Sequence, residues 1–189
     1  CTFRIGQSVA MPDILLDGLP VLDLLEIAPS TSTVAELTQR NQSSISRLYR
    51  RVSDRLGLQF SKQKDGCYRA EANQPLLSTL RRASQNLRLH QAPLQPRWAT
   101  CVRGVHASAP LPSALLLVGS TGNRIHTLLL QRILDMAVMP AAAEERRLPN
   151  GLCCQGLPGN PSGQAHLLWR ADLANAPGLH ALLAALRLE

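Results

Sequence analysis

The spacing of apolar residues changes between positions 42 and 70, and this change narrows the folds open to the chain more than any other feature. In the first part, apolar residues recur every three or four positions, as on one face of a helix: Ile45, Leu48, Val52 and Leu56. Gly57 then supplies a residue at which helices commonly end, so we predict a helix over 43–56. Beyond it, apolar and polar residues alternate on either side of Asp65-Gly66, which predicts a hairpin of two short strands with a primed turn.

Two shorter helical segments precede this helix. The first begins at Pro20, which suits a first helical turn, and ends before Pro29. The second follows Ser30-Thr31-Ser32-Thr33, which supply N-cap candidates, with Glu36 placed to complete a capping box from Thr33, and it extends to about Arg40. Three short helices followed by a basic hairpin are the order of a winged helix-turn-helix domain.

The chain therefore divides into four parts. Residues 1–18 are an N-terminal segment to which the sequence assigns no role, and residues 19–72 are the winged helix-turn-helix domain. Residues 73–95 are a long linker helix, and residues 96–189 are a small regulatory domain. The expected fold class is an α+β winged helix-turn-helix and linker helix followed by a small α/β domain.

The linker carries an apolar seam over residues 74–91. Its members are spaced four, three and four residues apart, as at the a and d positions of a coiled coil: Leu76, Leu80, Ala83 and Leu87. This spacing predicts a dimerisation helix. The same seam also fits a core face that packs on its own domain, and the sequence leaves both open.

The last part reads as alternating strands and helices. A buried apolar run over 114–118, a helix over 124–133 and a second run over 134–139 together predict a βαβ unit with parallel strands. The remaining segments are assigned as a strand at 98–102, a loop at 140–163, a strand at 166–170 and a helix at 176–188.

The positive charge of the chain is local. The net charge is +7 at pH 7, yet residues 30–103 hold thirteen basic and four acidic side chains, which is +9. A basic block beside a nearly neutral remainder predicts a polyanionic partner, with nucleic acid ahead of a membrane surface. No stretch approaches the roughly 20 apolar residues of a membrane span. Five cysteines without a CxxC spacing favour the reducing cytoplasm.

Residues 42–60 resemble the recognition helix and wing entry of the LysR-type bacterial transcriptional regulators. The positions that match in register are Gln42, Ser43, Ile45, Ser46, Leu56, Gly57 and Phe60. A second stretch, 129–138, is similar to a recurring element of the family's effector domain, with Arg132 where the family has glycine. The resemblance implies a DNA-binding regulator that pairs through its linker helix and has an α/β effector domain. That domain would be a shortened one here.

The candidate DNA contacts lie at the second helix, the third helix and the hairpin. Arg47 or Arg50 would read guanine and Gln42 adenine, while the cations of the hairpin would bind phosphates. The alternative is a solvated basic face. The full set is Ser32, Thr33, Gln42, Ser43, Ser44, Ser46, Arg47, Arg50, Arg51, Lys62, Lys64 and Arg69.

The turn at 119–123 is the best candidate for a small anionic effector. Ser120, Thr121 and Asn123 stand in front of a predicted helix, whose N-terminal N–H groups attract anions. An ordinary strand-to-helix turn explains the same residues. Redox sensing by Cys153 and Cys154 is a minor alternative.

We therefore expect a dimeric, sequence-specific transcriptional regulator of double-stranded DNA. It would be cytoplasmic, with no membrane association, and a small-molecule effector would bind its second domain. We expect no catalytic residues, no cofactor and no metal site, because the histidines and carboxylates show no spacing for such chemistry. The alternative is a protein-interaction or scaffold protein whose winged helix no longer reads DNA.

Overall fold

The computed structural model describes five stretches of the chain: residues 13–28, 30–64, 66–141, 148–157 and 165–188. The fold mixes helices and strands and divides into two compact units, Cys1–Leu76 and Leu77–Glu189. Most of the N-terminal segment lies outside the described residues. Its last part, Ile14–Gly18, is a short π-helix, and the carboxylate of Asp13 accepts hydrogen bonds from the first amides. Within the described ranges, no helix is both long and apolar enough to pass through a bilayer.

The first unit contains three helices followed by a two-stranded antiparallel hairpin. These elements are α1 (Leu19–Ile27), α2 (Thr31–Thr38), α3 (Gln42–Leu56), β1 (Phe60–Lys62) and β2 (Tyr68–Ala70). Aliphatic side chains from all three helices form its core, among them Leu22, Leu25, Val34, Ile45 and Val52. The order of the elements is the one that the apolar spacing predicts.

Helix α2 begins after the first of its four N-cap candidates, whereas the predicted capping box is not formed. Ser30 has an extended backbone, and its hydroxyl accepts from the amide of Thr33 at 3.1 Å, so Ser30 is the N-cap. Thr33 lies inside the first turn, and the capping box with Glu36 was wrong. The segment offers four consecutive hydroxyls, and spacing alone does not decide which of them caps the helix.

The end of α3 follows the prediction, whereas the hairpin turn is longer than expected. Gly57 has a left-handed backbone (φ 60°) and ends α3. In the hairpin, the amide of Gln63 donates to Cys67 at 2.8 Å, so three residues separate the paired positions rather than two. Gly66 closes this loop at a φ of 83°, and Asp65 lies outside the described residues.

The buried residues of helix α4 (Gln74–His90) are not those of the predicted seam. The buried side chains are Leu77, Arg81, Ser84, Gln85 and Leu89. The seam residues are half-buried to exposed, and Leu76 keeps 37% of its surface accessible. The seam is therefore not the core face of α4, which was the alternative explanation of its spacing.

The second unit is built on a five-stranded sheet. Its elements are β3 (Trp98–Thr100), β4 (Val105–Ala107), β5 (Leu115–Leu116), α5 (Gly122–Leu130), β6 (Met136–Pro140), β7 (Leu152–Gly156), β8 (Ala165–Arg170), α6 (Pro177–Ala185) and β9 (Leu186–Leu188). The strand order is β5-β3-β6-β8-β7, in which β3 is parallel to β5 and β6 while β8 is antiparallel to β6 and β7. The parallel strands of the predicted βαβ unit are present.

Three predictions for this unit were wrong. Within the run 114–118 only β5 is a strand, and Leu116 and Val118 are 57% and 49% exposed because β5 lies at the edge of the sheet that the described residues form. The predicted loop 140–163 contains β7, which pairs with β8. The helix predicted over 176–188 stops at Ala185, because the next three residues pair with β4, a strand that the sequence did not predict.

Candidate nucleic-acid interface

Helix α3 separates its side chains into a buried side and a charged side. Ile45, Val52 and Leu56 are buried in the core of the first unit. Because successive residues of a helix are about 100° apart, Ser43, Arg47, Arg50 and Asp54 form a single stripe on the opposite side. All four of these residues are exposed. We call this stripe the outer face of α3.

Charge is unevenly distributed along the outer face. Arg47 and Arg50 lie in the first two thirds of α3, and the exposed Arg51 lies beside them. Asp54 is the acidic member of the stripe and lies near the C-terminal end. The Nε of Arg47 donates to the carbonyl of Ser43 at 3.3 Å, within the same helix. The guanidinium-rich part of the face thus adjoins the N-terminal end of the helix, where the helix dipole also favours anions.

The beginnings of α2 and α3 are joined by a hydrogen bond. Gln42 Nε2 donates to Thr31 Oγ1 at 3.0 Å. One amide donor of Gln42 is therefore occupied, so Gln42 reads a base only with the rest of its amide or after this bond breaks. Sequence reasoning missed Thr31, although its position one residue after the cap Ser30 places its hydroxyl at the helix start.

The hydroxyls predicted on α2 and α3 are not equally accessible. Ser32 is exposed, whereas the hydroxyl of Thr33 is within 3.0 Å of Ser30 Oγ and belongs to the cap of α2. Ser44 and Ser46 are half-buried on the flanks of α3. Of these four serines and threonines, Ser32 is therefore the one most open to a partner.

The hairpin presents its cations on two different faces. Paired residues of antiparallel strands share a face, and alternate residues along a strand return to it. Since Phe60 pairs with Ala70 and Lys62 with Tyr68, these four residues lie on one face, while Arg69 lies on the other with its partner Ser61. The structure therefore does not place Arg69 beside Lys62.

The two faces also differ in charge. On the face of Arg69, the hydroxyl of Ser61 donates to the carboxylate of Glu71, and Gln63 Nε2 donates to the same hydroxyl at 2.7 Å. On the other face the charged side chain is Lys62, which is exposed, and Lys64 is exposed in the turn. The face of Lys62 is thus the cationic one.

An aromatic cluster joins α3 to the cationic face of the hairpin. The ring of Tyr49 meets Phe60 edge-on, with centroids 5.6 Å apart and planes at 76°, and it meets Tyr68 at 6.0 Å and 55°. Burial, followed by the charge of Tyr68, raises the pKa of the Tyr49 phenol above its ordinary value. These three residues are half of the six aromatic residues in the chain. Sequence reasoning missed Tyr49, and its concentration with Phe60 and Tyr68 in this segment was the available signal.

The candidate effector residues form the turn in front of α5. The Thr121 hydroxyl accepts from the amide of Arg124 at 3.4 Å and caps the helix. Thr121 and Asn123 are exposed and Ser120 is half-buried. The chain brings these three side chains together, and the cap of Thr121 is a structural role that an ordinary turn also has.

A buried polar cluster of the second unit surrounds Asp135, which the sequence did not single out. Its carboxylate is fully buried and accepts from Arg88 Nη2 at 2.8 Å and Nε at 3.0 Å, and from Gln85 Nε2 at 2.9 Å. It also accepts from the backbone amide of Arg97 at 2.7 Å. Because Gln85 and Arg88 belong to α4, this carboxylate fixes α4 to the loop before β6.

A second ionic group extends this cluster. Arg132 donates to Gln85 and to the carboxylate of Asp172, which Arg170 also contacts at 3.0 Å. Burial would raise the pKa of Asp172, but the hydrogen bonds and charges of Arg170 and Arg132 outweigh it and lower that pKa. Arg132 has a left-handed backbone with a φ of 61°. This conformation favours glycine, the residue of the LysR-type element at this position.

The cysteines and the metal-binding residue types form no site among the residues that the structure describes. Cys67, Cys101, Cys153 and Cys154 are free thiols, and Cys153 and Cys154 are neighbours on β7, so their side chains point to opposite faces. No three His, Cys, Asp or Glu side chains converge in the described ranges.

The chain was compared with known proteins. No protein-family model matches it, and no curated protein matches it in sequence. Similar solved structures include ArgP from Mycobacterium tuberculosis, with 20% identity and a TM-score of 0.36 over 78% of this chain and 53% of that one. A full-length OxyR variant from Pseudomonas aeruginosa has 12% identity and a TM-score of 0.38, over 77% of this chain and 53% of that one.

A third similar structure is DarR from Vibrio fischeri, which was solved in complex with DNA. Its identity is 16% and its TM-score 0.31, over 78% of this chain and 56% of that one. The chain spans about half the length of these proteins. Over that half, its structure is similar to LysR-type transcriptional regulators.

Proposed function

We propose that the first unit is a winged helix-turn-helix domain that binds double-stranded DNA, and that the chain is a sequence-specific transcriptional regulator. The observation that carries this proposal is the outer face of α3, where Arg47 and Arg50 are exposed, in a unit whose hairpin also exposes Lys62 and Lys64. A helix with an exposed basic N-terminal part suits the major groove, and a neighbouring basic hairpin suits the phosphates next to it.

The outer face assigns different tasks to its members. Arg47 and Arg50 have the planar guanidinium that binds O6 and N7 of guanine together, and Ser43 lies one turn nearer the helix start. The carboxylate of Asp54 would repel phosphates, which favours entry of α3 into the groove by its N-terminal end. Gln42 links α3 to α2 through its hydrogen bond to Thr31. Its side-chain carbonyl contacts the edge of a DNA base.

The remaining contacts are to the sugar-phosphate backbone. Lys62 and Lys64 bind phosphates beside the groove, and Ser32 and Arg51 bind them on either side of the recognition helix. Four further residues contribute less to DNA binding, because they are half-buried, engaged in a helix cap or on the other face of the hairpin: Thr33, Ser44, Ser46 and Arg69.

The chain acts as a homodimer through the seam of α4. Its residues remain partly accessible although the other face of the helix is buried, and Leu76 keeps 37% of its surface exposed. Leu80→Glu should convert the dimer to a monomer in light scattering, because it places a charge in an apolar seam. Asn86→Glu adds the same charge at an exposed position of α4 and should leave the dimer intact. A Leu80→Glu protein that stays dimeric would contradict the assignment.

The second unit is the regulatory part, and its small-molecule site is the turn of Ser120, Thr121 and Asn123. The N-terminal amides of α5 offer donors to an anion in front of Thr121. This unit requires no cofactor and no catalytic residue for that role. Calorimetry with small carboxylates and phosphates is the direct test, and loss of the heat in Asn123→Ala identifies the site.

DNA binding is tested with the full chain and fragments of genomic DNA at two salt concentrations. We expect a subset of fragments to bind tightly, and all binding to weaken as salt rises, because the lysines and arginines displace counterions from the phosphates. No binding at low salt would contradict the proposal. That result would favour a protein-interaction or scaffold protein whose first unit has the same shape but no longer reads DNA.

A further inference from the structure

We propose that Tyr49 is the positioning residue of the wing, so that the phosphate contacts of Lys62 and Lys64 depend on its ring. This inference rests on the proposed DNA-binding function and adds to it a residue that contacts the hairpin instead of the DNA. The structural basis is the pair of ring contacts from Tyr49 to Phe60 and Tyr68.

The hairpin is short and is held by the helices beside it; on the α1 side, the buried Cys67 donates from its Sγ to the carbonyl of Ile27 at 3.4 Å. Each of its strands has three residues, and an isolated two-stranded hairpin is only marginally stable in water. Its orientation against α3 must therefore come from packing. Phe60 belongs to β1 and Tyr68 to β2, so the single ring of Tyr49 contacts both strands.

One of the rings that Tyr49 contacts lies directly beside a cation of the hairpin. Tyr68 is the cross-strand partner of Lys62, and both lie on the face of the hairpin that meets Tyr49. Lys64 follows in the turn, two residues further along the chain. Tyr49 is half-buried, so its effect on DNA binding passes through the direction in which the hairpin presents these two lysines.

A double-mutant cycle separates this positioning role from a general effect on stability. In the wild-type background, replacing Lys62 and Lys64 together by alanine should reduce the dependence of log affinity on log salt by about two, one for each lost phosphate contact. Tyr49→Ala should reduce it by nearly the same amount. In the Tyr49→Ala background, the lysine replacements should then change the dissociation constant by less than about twofold, because interacting residues are not additive.

Two further variants control for folding. Tyr49→Phe keeps both ring contacts and should restore the wild-type salt dependence. Leu48→Ala truncates the neighbouring half-buried side chain of α3, which points about 100° away, and should preserve the effect of the lysine replacements. If Tyr49→Ala does not fold, Tyr49→Leu replaces it in the cycle, since leucine fills the site without the flat ring.

The possible results distinguish the two proposals. If the lysine replacements lower affinity equally in both backgrounds, Tyr49 does not position the wing, while the DNA contacts of the lysines stand. If the lysine replacements leave the salt dependence of wild-type protein unchanged, the wing contacts of the proposed function fail, and the role of Tyr49 fails with them. In the free protein, faster hydrogen exchange at the Gln63 amide in Tyr49→Ala than in Leu48→Ala supports the positioning role.

Discussion

Arginine has opposite surroundings in the two units of this protein. On α3, Arg47, Arg50 and Arg51 are exposed to solvent. In the second unit, Arg88 and Arg132 have side chains only 11% exposed and donate to carboxylates, an amide and a carbonyl. The same residue type therefore forms an exposed cationic surface in one unit and internal cross-links in the other.

This difference changes the meaning of the local charge. The segment 30–103 carries a net charge of +9, which in the sequence reads as one basic surface. Arg88 neutralises Asp135 within the second unit, and Arg81 is buried. The exposed positive charge is therefore smaller than the sum over the segment, and α3 and the hairpin hold much of it.

The largest expected effect concerns the buried cross-link. Asp135→Ala leaves the guanidinium of Arg88 and the amide of Gln85 without their carboxylate, so we expect the free energy of unfolding to fall by about 3–5 kcal/mol. Urea denaturation followed by circular dichroism measures this free energy. Asp54→Ala removes an exposed carboxylate from α3 and should change stability by less than about 0.5 kcal/mol. Equal losses in the two variants would show that Asp135 is not a cross-link.

How much the sequence could predict follows the same division between surface and interior. The helix 43–56 and the hairpin were predictable because their apolar spacing, Gly57 and the change of period are local signals. The pairing of Arg88 with Asp135 joins residues 47 positions apart, and no local pattern indicates such a contact. Strand β7 was missed for the same reason, since its partner β8 makes it a strand.

The candidate site was predictable to a similar extent. The exposed arginines follow from the helical face, because residues opposite Ile45 and Val52 must point to solvent. The face on which Arg69 lies depends on the register of the hairpin, and that register depends on the length of a turn that no local pattern indicates. The bond between Gln42 and Thr31 depends on how α2 packs against α3.

A smaller effect is expected from the backbone of the internal network. Arg132→Gly and Arg132→Ala lose the same contacts to Gln85 and Asp172, but only glycine adopts a φ of 61° without strain. We expect the glycine variant to be more stable than the alanine variant by about 1 kcal/mol. At Arg103, which does not have a left-handed backbone, glycine should be no more stable than alanine. Chemical denaturation of all four proteins makes the comparison.

The smallest expected effect is on how the stability of the protein changes at acidic pH. The pKa of Asp172 is lower in the folded protein than in the unfolded chain, so its charge stabilises the fold above the unfolded value of about 3.9. That contribution disappears as the pH falls through the lower, folded pKa. We expect Asp172→Asn to lose less stability than wild type between pH 5 and about pH 2, measured as Tm against pH. Identical curves would mean that Arg132 and Arg170 do not stabilise the carboxylate.

The exposed arginines of α3 provide the most direct test of the proposed function. The measurement is the affinity of the full chain, with and without Arg47→Ala and Arg50→Ala, for a selected genomic site and for random DNA of the same length. Arg103→Ala removes an exposed arginine outside the first unit and is the matched control. We predict that each α3 replacement weakens the specific complex by about 1–3 kcal/mol and the random complex far less, while the control changes both little. Equal losses on specific and random DNA would contradict base reading by α3.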